Sequence, residues 1–132
     1  MREIQSFAKE YLKQMNWEIN TDNYERSRSS LLNNYMLLTT EVGEVAEELR
    51  KTFNITNTFI QEGLSEEEAF EIAKGLVKED LGKEFADCIA YIVKIANFFD
   101  LDLEKSYYSK MEEVRNRKNK DVSYSISKNS SE

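Results

Sequence analysis

The chain has no histidine, no proline, a single cysteine and four glycines. Each scarcity removes a class of protein. Without histidine there is no imidazole general base, no Ser-His-Asp triad and no ordinary zinc or non-haem iron centre. Cys88 alone gives no intrachain disulfide and no cysteine zinc site. Few helix breakers remain, which favours an all-α fold. Positive charge is also short: the net charge of −7 argues against nucleic-acid polymers and anionic membranes as main partners. The sequence offers no signal-peptide-like apolar run and no bilayer-spanning stretch, so a cytoplasmic protein is the simple expectation. What is left for chemistry is carboxylate, lysine, arginine and tyrosine. Oxygen-only ligation suits Mg2+, Mn2+ or Ca2+, and a small phosphorylated ligand stays open if metal ions bridge it to the acids.

At 132 residues the chain is one domain's worth, here residues 1–118 followed by a tail. Residues 3–16 carry Ile4, Phe7, Ala8, Tyr11, Leu12 and Met15 at the spacing of an amphipathic helix. The only tryptophan, Trp17, follows; it reads as core or interface filler, or as a base-stacking platform. Residues 18–30 are polar and read as a connection. A second helix is expected from Leu31 to about Phe53, with Leu31, Tyr35, Leu38, Val42, Val45, Ala46 and Leu49 as its apolar stripe. Residues 54–64 read as a loop. Ser65 and Glu68 form a capping box that starts a helix at Glu66, with Gly75 and Gly82 as possible interruptions. From Leu81 to Phe99 the stripe of Phe85, Cys88, Ile89, Ile92, Ile95 and Phe99 predicts a buried helix, central to a bundle or packed against another subunit. Asp102 is the expected N-cap of a last, basic helix. The segment 119–132, rich in Ser, Asn and Lys, reads as a disordered tail.

Two pairs of carboxylates stand out. Glu41-Val-Gly-Glu44 and Glu84-Phe-Ala-Asp87 each place two acids three residues apart, on one side of a helix and one turn apart. Glu41, Glu44 and Glu48 fall on the flank of one apolar stripe, and Glu84, Asp87 and Tyr91 on the flank of the other. A flank position can point into a cleft between helices. Like charges brought together there are costly without compensation, and a divalent cation supplies it. Gly43, inside a helix at a cost of about 1 kcal/mol relative to alanine, is either merely tolerated or marks a close approach to the backbone.

The runs Leu38-Thr-Thr-Glu-Val-Gly-Glu-Val-Ala-Glu-Glu-Leu, Glu84-Phe-Ala-Asp-Cys-Ile-Ala-Tyr and Leu101-Asp-Leu-Glu, with a basic helix ending Arg115-Asn-Arg-Lys, resemble the MazG-type all-α nucleoside triphosphate pyrophosphohydrolases. The resemblance covers roughly residues 31–118, and more loosely the first helix with Trp17. It implies a bundle of four to five helices completed by dimer or tetramer packing. It also implies Mg2+-dependent hydrolysis of a (d)NTP to the monophosphate and pyrophosphate, with Mn2+ as a possible substitute, in a housecleaning or pool-controlling role. Carried over by position, Glu41, Glu44, Glu84 and Asp87 become metal ligands and catalytic acids, with one of them or Glu48 orienting the attacking water. Lys110, Asn116 and Arg117 become phosphate contacts, and Tyr91 and Trp17 candidates for the base or sugar. Thr40 stands where many relatives have another acid and Ala86 where many have glycine, so base preference does not transfer.

The non-enzyme alternative is a helical oligomerisation or regulatory module whose acids are solvated or hold a structural cation. A four-helix di-iron carboxylate protein is the other enzyme alternative, but that class uses Glu-x-x-His pairs, which a chain without histidine cannot form.

Overall fold

A computed structural model describes the backbone of residues 1–130 and the side chains of residues 1–117. Four helices follow one another: α1 (Arg2–Met15), α2 (Tyr24–Gln61), α3 (Glu66–Phe98) and α4 (Leu103–Ser130). No strand occurs among the described residues, so the chain is all-α. None of the described helices is long and apolar enough to cross a membrane.

The centre of the fold is an antiparallel hairpin of α2 and α3, 38 and 33 residues long. Gly63, at φ 107°, makes the turn between them, a conformation that strains any residue with a Cβ. The capping signals act where the sequence places them. The Glu68 amide donates to Ser65 Oγ at 3.2 Å, and the Lys105 amide donates to Asp102 Oδ1 at 3.1 Å. Between Glu66 and Phe98 the helix is unbroken, and a Cβ added at Gly75 or Gly82 would meet nothing within 4 Å.

Two expected loops are shorter than expected, with 24–30 and 54–61 helical and 18–23 and 62–64 left as connections. Helix α2 begins at Tyr24, not Leu31, because Asn23 caps it: its Oδ1 accepts from the Arg26 amide at 2.9 Å. Ser27 Oγ and Ser30 Oγ then tie the first turns to the Asn20 backbone. At the other end α2 runs on through 54–61. The β-branched residues that suggested a loop satisfy themselves within the helix: Thr52, Thr56 and Thr58 donate to the carbonyls of Glu48, Thr52 and Asn54. Helix α4 runs from Leu103 to Ser130. With no proline or glycine after Leu103, no breaker stops it. The side chains beyond Arg117, and residues 131–132, lie outside the described residues.

The hairpin also turns its helices differently from the expected stripes. The line of α2 facing α3 is Leu31, Asn34, Leu38, Glu41, Val45, Glu48 and Thr52, all buried or half-buried. Those spacings alternate between three and four residues, as in a coiled-coil seam. On α3 the matching line is Ala73, Val77, Leu81, Glu84, Cys88 and Tyr91. The acids therefore sit in or beside the seam. Of the expected stripes, Tyr35, Val42 and Leu49, together with Phe85, Ile89 and Ile92, are 38–58% exposed within one chain. Advancing 100° per residue puts Tyr35, Val42, Leu49, Phe85 and Ile92 on one side of the hairpin, away from α1, while Ile89 also borders the space beneath α1.

Helix α1 is held on the C-terminal half of α3 by a polar knot. Gln5 is buried, and its Nε2 donates to Asn97 Oδ1 at 3.0 Å and to the Leu101 carbonyl at 2.7 Å. Its Oε1 accepts from the Leu103 amide at 3.0 Å, so one side chain joins α1, the end of α3 and the start of α4.

Candidate metal centre and adjoining cavity

Glu41 and Glu84 are seam residues on opposing helices, and Asp87 stands one turn beyond Glu84. Their carboxylates can each offer an oxygen such that all three lie within 4.8 Å of one another. Glu41 and Glu84 are half-buried and Asp87 is exposed, so the group opens to one side of the hairpin. Glu44, expected as the fourth ligand, is exposed and stands outside this trio. Glu48 is in the seam but is met by Lys51 at 3.5 Å, and Lys51 also reaches Asp80 at 3.2 Å. No described lysine or arginine pairs with the trio itself.

The electrostatic consequence falls on Glu84. Partial burial pushes its carboxyl above the ordinary value of 4.5, and the charges of Asp87, Glu41, Glu44 and Glu48 add to the shift. The Cys88 thiol beside it is raised too, first by burial and then by Glu41, Asp87 and Glu84. Its thiolate is disfavoured, which argues against a nucleophilic role.

Asp87 has a second neighbourhood. It borders a half-open cavity of about 880 Å3 lined by α1, the turn after it, α2 and α3. From α1 and the turn after it come Phe7, Tyr11 and Trp17. Phe7 and Tyr11 stack at 5.6 Å between ring centroids, and Tyr11 meets Trp17 edge-on at 6.1 Å. Tyr91 of α3 lines the cavity as well, so both aromatic residues singled out by the sequence reach it. Trp17 is 51% exposed, a wall of the cavity and not part of the core. The long tip of the hairpin, residues 51–80, contributes nothing to this wall.

The basic residues of the last helix are elsewhere. Lys110 Nζ lies 3.2 Å from Glu113 and Arg117 Nη2 lies 3.1 Å from the same carboxylate. Asn116 is exposed on the same helix. The structure brings none of the three to the acids. Two residues that the sequence analysis overlooked do line the cavity: Asn34 and Lys94. The signal for Asn34 was its place in the alternating line with Glu41 and Glu48. For Lys94 it was the step of seven residues, two helical turns, from Asp87.

Gly43 meets nothing within 4 Å, so tolerance of a helical glycine explains it within one chain. No family model matches this chain, and neither a curated protein nor a solved structure does so.

Proposed function

We propose that the protein is a Mg2+-dependent nucleoside triphosphate pyrophosphohydrolase of the MazG-like kind. One observation carries the reading: Asp87 belongs both to a trio of unpaired carboxylates and to the wall of an aromatic-lined cavity. The cavity volume is within the range of small-molecule sites. The donor set fits magnesium, because it offers three hard oxygen ligands with no described cation neutralising them. Glu41, Glu84 and Asp87 would hold the ion, with Mn2+ able to replace it. Bound there, it would lower the pKa of the attacking water and neutralise charge on the phosphates, so that attack at the α-phosphorus releases pyrophosphate. The chain's own part is to hold the triphosphate against the acids and the nucleoside among Tyr11, Trp17 and Tyr91. Lys110, Asn116 and Arg117 have no part in this arrangement within one chain.

The proposal extends to self-association. Among the described residues, six apolar ones are buried: Ile19, Ala69, Ala73, Val77, Val93 and Ala96. Tyr35, Val42, Leu49, Phe85, Ile89 and Ile92 stay uncovered, and large apolar side chains left open together mark an interaction surface. A second copy packed on Tyr35, Val42, Leu49, Phe85 and Ile92 would cover this face and leave the acids open. Cytoplasmic location and a role in nucleotide-pool housecleaning go with this reading.

The test is pyrophosphate release from a panel of NTPs and dNTPs, with and without Mg2+. Release that needs the metal, and that Glu41→Gln and Asp87→Asn abolish in folded protein, is the expected result. Glu44→Gln should cost less, because Glu44 lies outside the trio. A folded sample that releases nothing from any nucleotide sinks the enzyme reading and leaves the oligomerisation module.

A further inference from the structure

A magnesium ion on the trio leaves the site short of positive charge. Glu41, Glu84 and Asp87 bring three carboxylates, more negative charge than one divalent ion cancels. A triphosphate adds several charges more. Phosphoryl chemistry runs on positioning and on cancelling that charge, so a further cation is needed beside the acids.

Most described cations of the hairpin and the last helix are already engaged. Lys51 is held by Glu48 and Asp80, and Lys83 Nζ lies 3.8 Å from Glu79. Lys110 and Arg117 share Glu113.

Lys94 differs from these in three respects. Among the described residues it is the one lysine or arginine that lines the large cavity. It is half-buried, and burial alone lowers its pKa; Glu18 and Asp87, the acids of the same wall, do not offset the effect. A desolvated ammonium without a carboxylate against it gains from an anion supplied by a ligand. It also stands on the line of α3 that carries Asp87. Seven residues fall about 20° short of two turns, so the two side chains leave the helix on one side, roughly 10 Å apart along its axis. A triphosphate that starts at the metal runs along this wall, and the long lysine side chain closes the remaining gap.

We infer that Lys94 binds the γ-phosphate of the nucleotide and makes the site prefer triphosphates over diphosphates, an inference that rests on the nucleotide reading above. The γ-phosphate departs with the pyrophosphate, so Lys94 holds the leaving group and not the attacked phosphorus. Its contact exists before the reaction as well as during it. Losing it therefore raises KM more than it lowers kcat.

The experiment is calorimetric titration, in Mg2+, with the α,β-methylene triphosphate and the α,β-methylene diphosphate of each of the five common nucleosides. Neither analogue is cleaved at the proposed bond, and the two differ only in the γ-phosphate. Pyrophosphate release from the natural triphosphates is measured in parallel. The wild type should bind the triphosphate of at least one nucleoside roughly ten-fold or more tightly than its diphosphate, the scale of one charge-assisted hydrogen bond. Lys94→Met should bring the pair close to equal by weakening the triphosphate alone, and Lys94→Arg should keep most of the difference. Lys94→Gln removes the same charge and takes the place of Lys94→Met if that variant misfolds. A wild type that binds both analogues equally, or a folded Lys94→Met that keeps the difference, overturns the assignment. So does a Lys94→Met that weakens both analogues by the same factor, because Lys94 then touches a part of the nucleotide that the two share. A difference lost in Lys94→Met, with no pyrophosphate release from the wild type, upholds the phosphate contact and sinks the hydrolase. Pyrophosphate release that Lys94→Met leaves unchanged in KM and kcat upholds the hydrolase and overturns the role of Lys94.

Discussion

Gln5 and Asn97 exchange two hydrogen bonds: Gln5 Nε2 donates to Asn97 Oδ1 at 3.0 Å, and Asn97 Nδ2 donates to the Gln5 carbonyl at 3.0 Å. The pair anchors α1 to the far end of α3, and α1 carries Phe7 and Tyr11 of the cavity wall. A polar contact between residues far apart in the chain therefore helps to hold the aromatic wall in place, together with the ion pairs of Arg2 with Asp102 and Glu104.

Gln5→Ala should accordingly do more than its size suggests. It strips partners from Asn97, from the Leu101 carbonyl and from the Leu103 amide. A loss of about 2–3 kcal/mol is expected, the scale of buried polar groups left unsatisfied. Urea denaturation measures it, and Trp17 emission should shift as α1 loosens. A loss under about 0.5 kcal/mol, the range of ordinary surface substitutions, would show the knot to be incidental.

Glu84 makes stability depend on pH. Its folded-state pKa lies above the ordinary value of 4.5, so the native state holds that proton more tightly than the unfolded chain. The penalty for ionising it is absent below the unfolded value. It grows as pH rises through the raised folded value, and is constant above that. In metal-free buffer the melting temperature should therefore fall over this window, and Glu84→Gln should remove that part of the fall. At neutral pH, Mg2+ should raise the melting temperature of the wild type and leave Glu84→Gln nearly unmoved. Magnesium at a hundred times its dissociation constant adds about 2.7 kcal/mol. Equal responses of the two proteins would mean that the trio is not the binding site.

Gly43→Ala should stabilise the protein by about 0.5–1 kcal/mol, because the added Cβ meets nothing and the unfolded chain loses freedom. Chemical denaturation reads the gain, and light scattering reads the assembly. If the substitution weakens association instead, a second copy approaches the α2 backbone there, and tolerance is no longer the explanation of this glycine.

The acid pairs were legible because three-residue spacing on a helix is a local fact. What misled was the choice of face. The large apolar residues of α2 and α3 give the stronger periodic signal, and a core built from the largest side chains is the natural reading. The hairpin buries Ala69, Ala73 and Val77 at its tip, with Asn34, Glu41, Glu84 and Thr52 along its seam. Small and polar residues let the two helices lie together, and the large ones are left outside. The helical parts of the expected loops, 24–30 and 54–61, were missed for a related reason. Serine, threonine and asparagine weaken helices when counted one by one, yet here their side chains cap or bond back to the backbone of the same helix.

The sequence by itself determined the all-α class, the caps at Ser65 and Asp102, and the two carboxylate pairs of the hairpin. These follow from composition and from contacts within one turn, which the chain specifies locally. Only the tertiary structure decided that Glu41 meets Glu84 and Asp87 while Glu44 stands aside, that Lys110 and Arg117 end on Glu113, and that Asn34 and Lys94 share a cavity with Trp17. Those relations depend on the rotation and register of α2 against α3. Rotation and register are set by the sum of many side-chain contacts between helices, which no short stretch of sequence carries.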